Sequence, residues 1–201
     1  QEGKLTEAIE LAESELAGVP RQKREAWREL YYRYWELLAD ADRARVLKTS
    51  TRLYLDDFPE DPFANYYFAR AILISAARIQ RLTPESTKAY RQETEMAASQ
   101  LERTCSTLDA QKKHPETDAE KKELLTDLYR KLRLEQAKLY VLIWKLGDYK
   151  EDEHPDVLFR DKALNICDNE ELAAMKEARA LKAEIFTHIL DRWYWFEGRQ
   201  I

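Results

Sequence analysis

The sequence predicts an all-α protein of about eight helices in antiparallel pairs, and three observations carry that expectation. Apolar residues recur at helical spacing from one end to the other. Gly and Pro number only 4 and 6 in 201 residues, too few for the turns of a β-sandwich or a doubly wound α/β fold. No stretch alternates apolar and polar residues in the manner of a strand.

The first helix is expected over 5–17, where Leu5, Ala8, Ile9, Ala12 and Leu16 share one face and Gly18-Val19-Pro20 breaks the pattern. A second, 23–39, aligns Trp27, Leu30, Tyr31, Tyr34 and Leu38. Asp40-Ala41-Asp42 reads as a tight turn into a third helix, 42–57. Asp61 is an N-cap and Pro62 a first helical residue for the fourth, 62–82.

Thr83-Pro84 starts a long fifth helix, 84–112, which His114-Pro115 stops. Thr117 and Glu120 have capping-box spacing for the sixth, 118–146. Gly147-Asp148-Tyr149 is a sharp turn, followed by an acidic loop and a short helix, 157–167. Asp168-Asn169 punctuates the chain before the last helix, 169–196. All of 1–201 reads as a single array.

Charge and motifs exclude several functions. A net charge of −5 argues against general nucleic-acid binding. The longest apolar run, Ala64 to Ala77, is too short for a membrane span and contains Arg70. With Gly at 3, 18, 147 and 198 alone, neither a phosphate-cradling loop nor a nucleophile elbow can be written. Glu151 and His154 have a metal-ligand spacing without a second copy, and Glu184 with His188 reads as a solvated helix face. No enzyme, cofactor or metal is expected. Cys105 and Cys167 read as free, part-buried thiols, with a single disulfide as the alternative.

Partner binding is the expectation that remains. Arg24, Arg28, Tyr32 and Trp35 form a strip displaced by about 90° from the core stripe of the second helix. They form either a peptide groove or packing against the next pair. Arg21 to Trp35 holds five basic and two acidic residues, and Arg with large aromatics dominates interfaces. Phe68, Ile72 and Ile79, flanked by Arg78, form a second strip. Asp148 to Glu171 carries nine acidic and three basic residues, a solvated loop or a surface for a basic partner. At the last helix, Tyr194 and Trp195 lie off the stripe of Ile185, Ile189, Trp193 and Phe196, and serve as an end cap or a contact.

Gly3-Lys4-Leu5-Thr6-Glu7-Ala8 followed by Pro20 resembles a tetratricopeptide (TPR) unit, in which Gly marks the turn into the second helix of a pair and Pro closes it. The resemblance implies TPR-like pairs stacked into a right-handed solenoid, with irregular spacing between Pro20, Pro59 and Pro115. It also implies that Gly3 is a turn and that more chain precedes Gln1, or that a partner covers the first helix. The phrase Asp57-Phe58-Pro59-Glu60-Asp61-Pro62-Phe63-Ala64-Asn65-Tyr66-Tyr67 is similar to a junction in outer-membrane assembly lipoproteins of the BamD type, as is the order of elements from His114-Pro115 to Gly147. That likeness implies a scaffold at the periplasmic face of the outer membrane, docking peptide segments; the family's lipidated N-terminal Cys is not in this sequence, which leaves a lipid anchor upstream of residue 1 open. The alternatives are a cytoplasmic TPR adaptor, or a structural module that meets partners through its helical ends. Oligomeric state is not readable from the sequence.

Overall fold

The computed structural model describes residues 2–19, 24–78, 83–115, 117–147 and 157–197; side chains at 2, 24, 84 and 191–197 are not among those described. Among the described residues there are eight α-helices and no strand: α1 Glu2–Gly18, α2 Arg24–Asp40, α3 Ala44–Asp57, α4 Pro62–Arg78, α5 Pro84–Lys113, α6 Ala119–Lys145, α7 Val157–Cys167 and α8 Lys176–Glu197. No described helix is long and apolar enough to cross a membrane. The chain divides into two compact units, Gln1–Thr83 and Pro84–Ile201.

In the first unit α2 packs against α1, α3 and α4, and α3 packs against α4. Its core is aromatic. Trp27 stacks on Tyr54 with ring centroids 5.3 Å apart, Trp35 meets Tyr54 edge-on at 5.0 Å, and Tyr54 tilts against Phe58 at 4.9 Å. Such pairs contribute about 0.5–1.5 kcal/mol each beyond the area they bury. Fully buried Ala64, Ala69 and Ala71 keep α4 close to its neighbours.

The α2–α3 turn closes through backbone bonds from Arg43 N to Leu38 O (2.8 Å) and Asp42 N to Ala39 O (3.1 Å). This is a Schellman motif. Its left-handed position, φ 59°, holds Asp42 where Gly is usual. Gly3, expected as a turn, lies inside α1 without a positive φ. The end of the expected fourth helix, 79–82 with Ile79, lies outside the described residues.

In the second unit α6 is central, packing against α5, α7 and α8. Between Leu132 and Trp144 it is buried on nearly every face, through Leu132, Leu134, Ala137, Leu139, Val141 and Ile143 among others. The α6 cap is Asp118, whose carboxylate accepts from Lys121 N at 2.7 Å, while Thr117 Oγ1 donates to Gln111 O instead of capping.

The last helix starts at Lys176, seven residues later than the sequence suggests. Asn169 Oδ1 accepts from Glu171 N (3.0 Å), Asn169 O from Leu172 N and Ala173 N, and Leu172 is fully buried. The asparagine thus captures the backbone in a turn before a helix can propagate. Buried Lys112 fixes this segment, pairing with Glu171 at 2.6 Å and sitting 4.4 Å from the Tyr129 ring.

Candidate functional site

Asp61 organises the face where the sequence places its first binding strip. Its Oδ1 caps α4, accepting from Phe63 N and Ala64 N at 3.0 Å each. Its Oδ2 accepts from Tyr32 OH (2.6 Å), the Arg28 guanidinium (3.1 Å) and Tyr54 OH (3.2 Å). Five donors on one buried carboxylate more than fill its roughly four lone-pair sites. Burial, followed by the bond to Asp61, pushes the Tyr32 phenol well above its ordinary value. Burial and Asp61 also push Tyr54 up to about 12. Both phenols stay protonated as donors at neutral pH, so the cluster works as a clamp and offers no base.

The clamp corrects the expected groove. Tyr32 stacks on Phe63 at 4.6 Å, and Trp35 is fully buried, tilted against Tyr67 at 6.0 Å, with Nε1 donating to Ser50 Oγ at 2.9 Å. The strip Arg28–Tyr32–Trp35 therefore forms the α2–α4 interface, with Arg28 at its exposed edge. Phe68 and Ile72 are core residues, 2% and 0% exposed, because α4 is covered by both α2 and α3. Exposed Arg78 pairs with Asp42 and ties the end of α4 to the α2–α3 turn. The side chains of Arg24, Tyr194, Trp195, Trp193 and Phe196 lie outside the described residues, as do residues 148–156 of the acidic loop with Glu151 and His154.

An open groove lies elsewhere, across α1, α2 and α3. It has a volume of about 310 Å³ and is lined by Glu13 and Leu16 of α1, Tyr31 and Tyr34 of α2, and Val46, Thr49, Ser50 and Leu53 of α3. Its floor is rigid, since the Tyr31 ring lies 4.5 Å from Trp27 and 5.3 Å from both Trp35 and Tyr54. Tyr34 OH donates to Glu13 Oε1 at 2.7 Å and holds α1 against α2. Val46 and Leu53 stand 44% and 65% exposed along one wall.

The sequence does carry a signal for this wall. Val46, Thr49, Ser50 and Leu53 have i, i+3, i+4, i+7 spacing, beside the core stripe of Ala44, Leu47, Thr51 and Tyr54.

The cysteines and His188, among the described residues, have structural surroundings. Cys105 and Cys167 are free and buried, and burial pushes the Cys105 thiol up to about 12. The His188 ring meets Trp144 edge-on at 4.9 Å, and Glu184 pairs with Lys145 of α6 instead of with His188. Among the described residues no group of three or more His, Cys, Asp or Glu side chains converges to hold a metal ion. Compared with known proteins, the chain matches no family model, no curated protein and no solved structure.

Proposed function

We propose that the protein is a non-catalytic binding scaffold that receives a polypeptide segment in the α1–α2–α3 groove. The observation that carries this reading is the pairing of exposed Val46 and Leu53 with a floor of packed tyrosines. An exposed apolar wall over a rigid aromatic floor gains affinity by losing water, with little ordering cost on the protein side. In the finer form of the proposal, the helices stack as TPR-like pairs in a right-handed solenoid. The compartment then follows the resemblance: the periplasmic face of the outer membrane, or the cytoplasm for a general adaptor.

A second contact is favoured by α8, where exposed Phe186 and Leu190 lie one turn apart. Such a pair suits a module that meets partners at a helical end.

Panning a random peptide library on the immobilised protein tests the groove, with counter-selection on V46E/L53E. Both positions are exposed, so the variant keeps its fold. Peptides that bind the native protein at least tenfold tighter than the variant are expected. A library yielding none that distinguish the two eliminates the groove as the binding site.

A further inference from the structure

We infer that the groove takes an amphipathic helix whose direction is set by charge, with its basic flank along α1 and its acidic flank along α3. The inference rests on the scaffold reading and adds the form and polarity of the guest. Two observations carry it: how the groove's polar atoms are already engaged, and how charge is divided between its lips.

The first decides between an extended and a helical guest. An extended peptide leaves its backbone N–H and C=O groups to be satisfied by the host. Three of the groove's side-chain groups are already engaged. Glu13 Oε1 accepts from Tyr34 OH, Ser50 Oγ from Trp35 Nε1, and Thr49 Oγ1 donates to Arg45 O. The walls are helices, whose backbone bonds are internal. A guest that arrives with its own backbone satisfied, as a helix does, asks nothing of these engaged groups.

Geometry agrees. Among the described residues α1 and α3 both pack on α2 and not on each other, leaving a slot between two helical walls. The stripe from Val46 to Leu53 spans about 10.5 Å of helix axis, the span of i, i+3/i+4, i+7 anchors on a helical guest.

The second observation sets direction. On the α1 lip Glu10 stands one turn before Glu13, and both are exposed. On the α3 lip exposed Arg45 and Arg52 lie four residues before and three after Thr49, on its outer side. Over the stretch from Arg45 to Leu53 the slot is acidic along one edge and basic along the other, and exposed Asp56 and Asp57 end the basic edge. A helix with Lys on one flank and Glu on the other fits in one direction; exchanging the flanks turns it end for end.

Three stapled helical peptides of identical composition test this, each with Leu at i, i+3 and i+7. One has Lys and Glu on opposite flanks, the second has the flanks exchanged, and the third mixes both charges on both flanks. The two segregated peptides are expected to bind about tenfold tighter than the mixed one at low salt, a gap that closes at high salt. A spin label at their N-termini is expected to broaden amides at opposite ends of α3. The variant E10K/R45E/R52E, altered at exposed positions and checked for native helicity, is expected to invert both directions.

Equal affinity of all three peptides, or one shared direction for the two segregated ones, overturns the charge assignment. Failure of every helical peptide while panning yields groove-dependent extended sequences overturns the inference and leaves the scaffold reading standing. Failure of both assays removes the scaffold reading as well.

Discussion

The two units solve the same problem, burying amphipathic helices, with different interiors. In Gln1–Thr83 the core is a stack of rings around Tyr54, and its buried ion, Asp61, is engaged by five donors. In Pro84–Ile201 the core is mostly aliphatic, with Tyr140 and Trp144 as its buried rings, and wraps α6, with Ala97, Ala98, Ala137, Ala163 and Ala178 letting helices close tightly. Its polar chain is neutral at the centre. Fully buried Gln136 accepts from Arg133 (2.7 Å) and donates to Tyr140 OH (3.0 Å), which in turn reaches Glu102 (3.4 Å). Rings stack into stiff surfaces that cannot flow into every gap, and the open groove borders the aromatic unit.

The strongest way to break this contrast is D61A. The substitution removes the α4 cap and leaves two hydroxyls and a guanidinium without their acceptor. About 3 kcal/mol of destabilisation is expected, after discounting the half-exposed Arg28 for solvent screening. Urea unfolding measures it, with faster hydrogen exchange in α2 and α4 as the local signature. A loss under 1 kcal/mol shows that the clamp is decorative.

Alkaline pH separates the units next. Burial first, then neighbouring carboxylates, raises the phenols of Tyr32, Tyr34, Tyr54 and Tyr67 in the first unit, and of Tyr90 and Tyr140 in the second. Tyr54, Tyr67 and Tyr140 reach about 12. A folded value above the unfolded one, near 10, means the fold holds the proton. Stability is then complete below pH 10 and falls as pH climbs through 12. With screening, about 0.5 kcal/mol per tyrosine at pH 11 puts the loss in the first unit near 2 kcal/mol. Tyrosinate absorbance during urea titrations at pH 8 and pH 11 reads it. Unchanged stability at pH 11 contradicts the expectation.

Q136L probes the neutral chain of the second unit. The replacement keeps volume but leaves Arg133 and Tyr140 without their shared partner, at a cost of about 1.5 kcal/mol. The loss is expected to be smaller than for D61A because no charge loses its counter-ion. A larger loss than D61A in the same urea assay reverses the ranking of the two interiors.

Helix boundaries were legible because periodicity and caps are local. Asp61 and Pro62 mark the start of α4 in any context, and the apolar stripe of α2 names its core face. The start of α8 escaped because Glu170 to Met175 has helical composition, while a side-chain bond from Asn169 decides its backbone. The binding strip escaped for a different reason. Periodicity tells which residues share a face, not what covers it, and Tyr32 and Trp35 are covered by α4 through contacts 29 or more residues away in sequence. Thr49 and Ser50, in the middle of the groove wall, disguise Val46 and Leu53 as part of a solvated face.

The smallest effect sharpens the account of the first unit at its α2–α3 turn. Asp42 holds a left-handed conformation that costs a non-glycine residue about 1 kcal/mol, and its carboxylate pairs with Arg78 across an exposed surface. D42G relieves the first and loses the second. Since an exposed pair contributes only a few tenths of a kcal/mol, and glycine adds freedom to the unfolded chain, the net gain is expected near 0.5 kcal/mol. R78A isolates the pair and should cost less than that. In the D42G background R78A should then cost nothing further, because the pair is already absent, and the departure from additivity measures the pair. If D42G destabilises instead, the ion pair outweighs the backbone strain, and Arg78 is a working part of the turn that joins α4 to the groove-bearing helices.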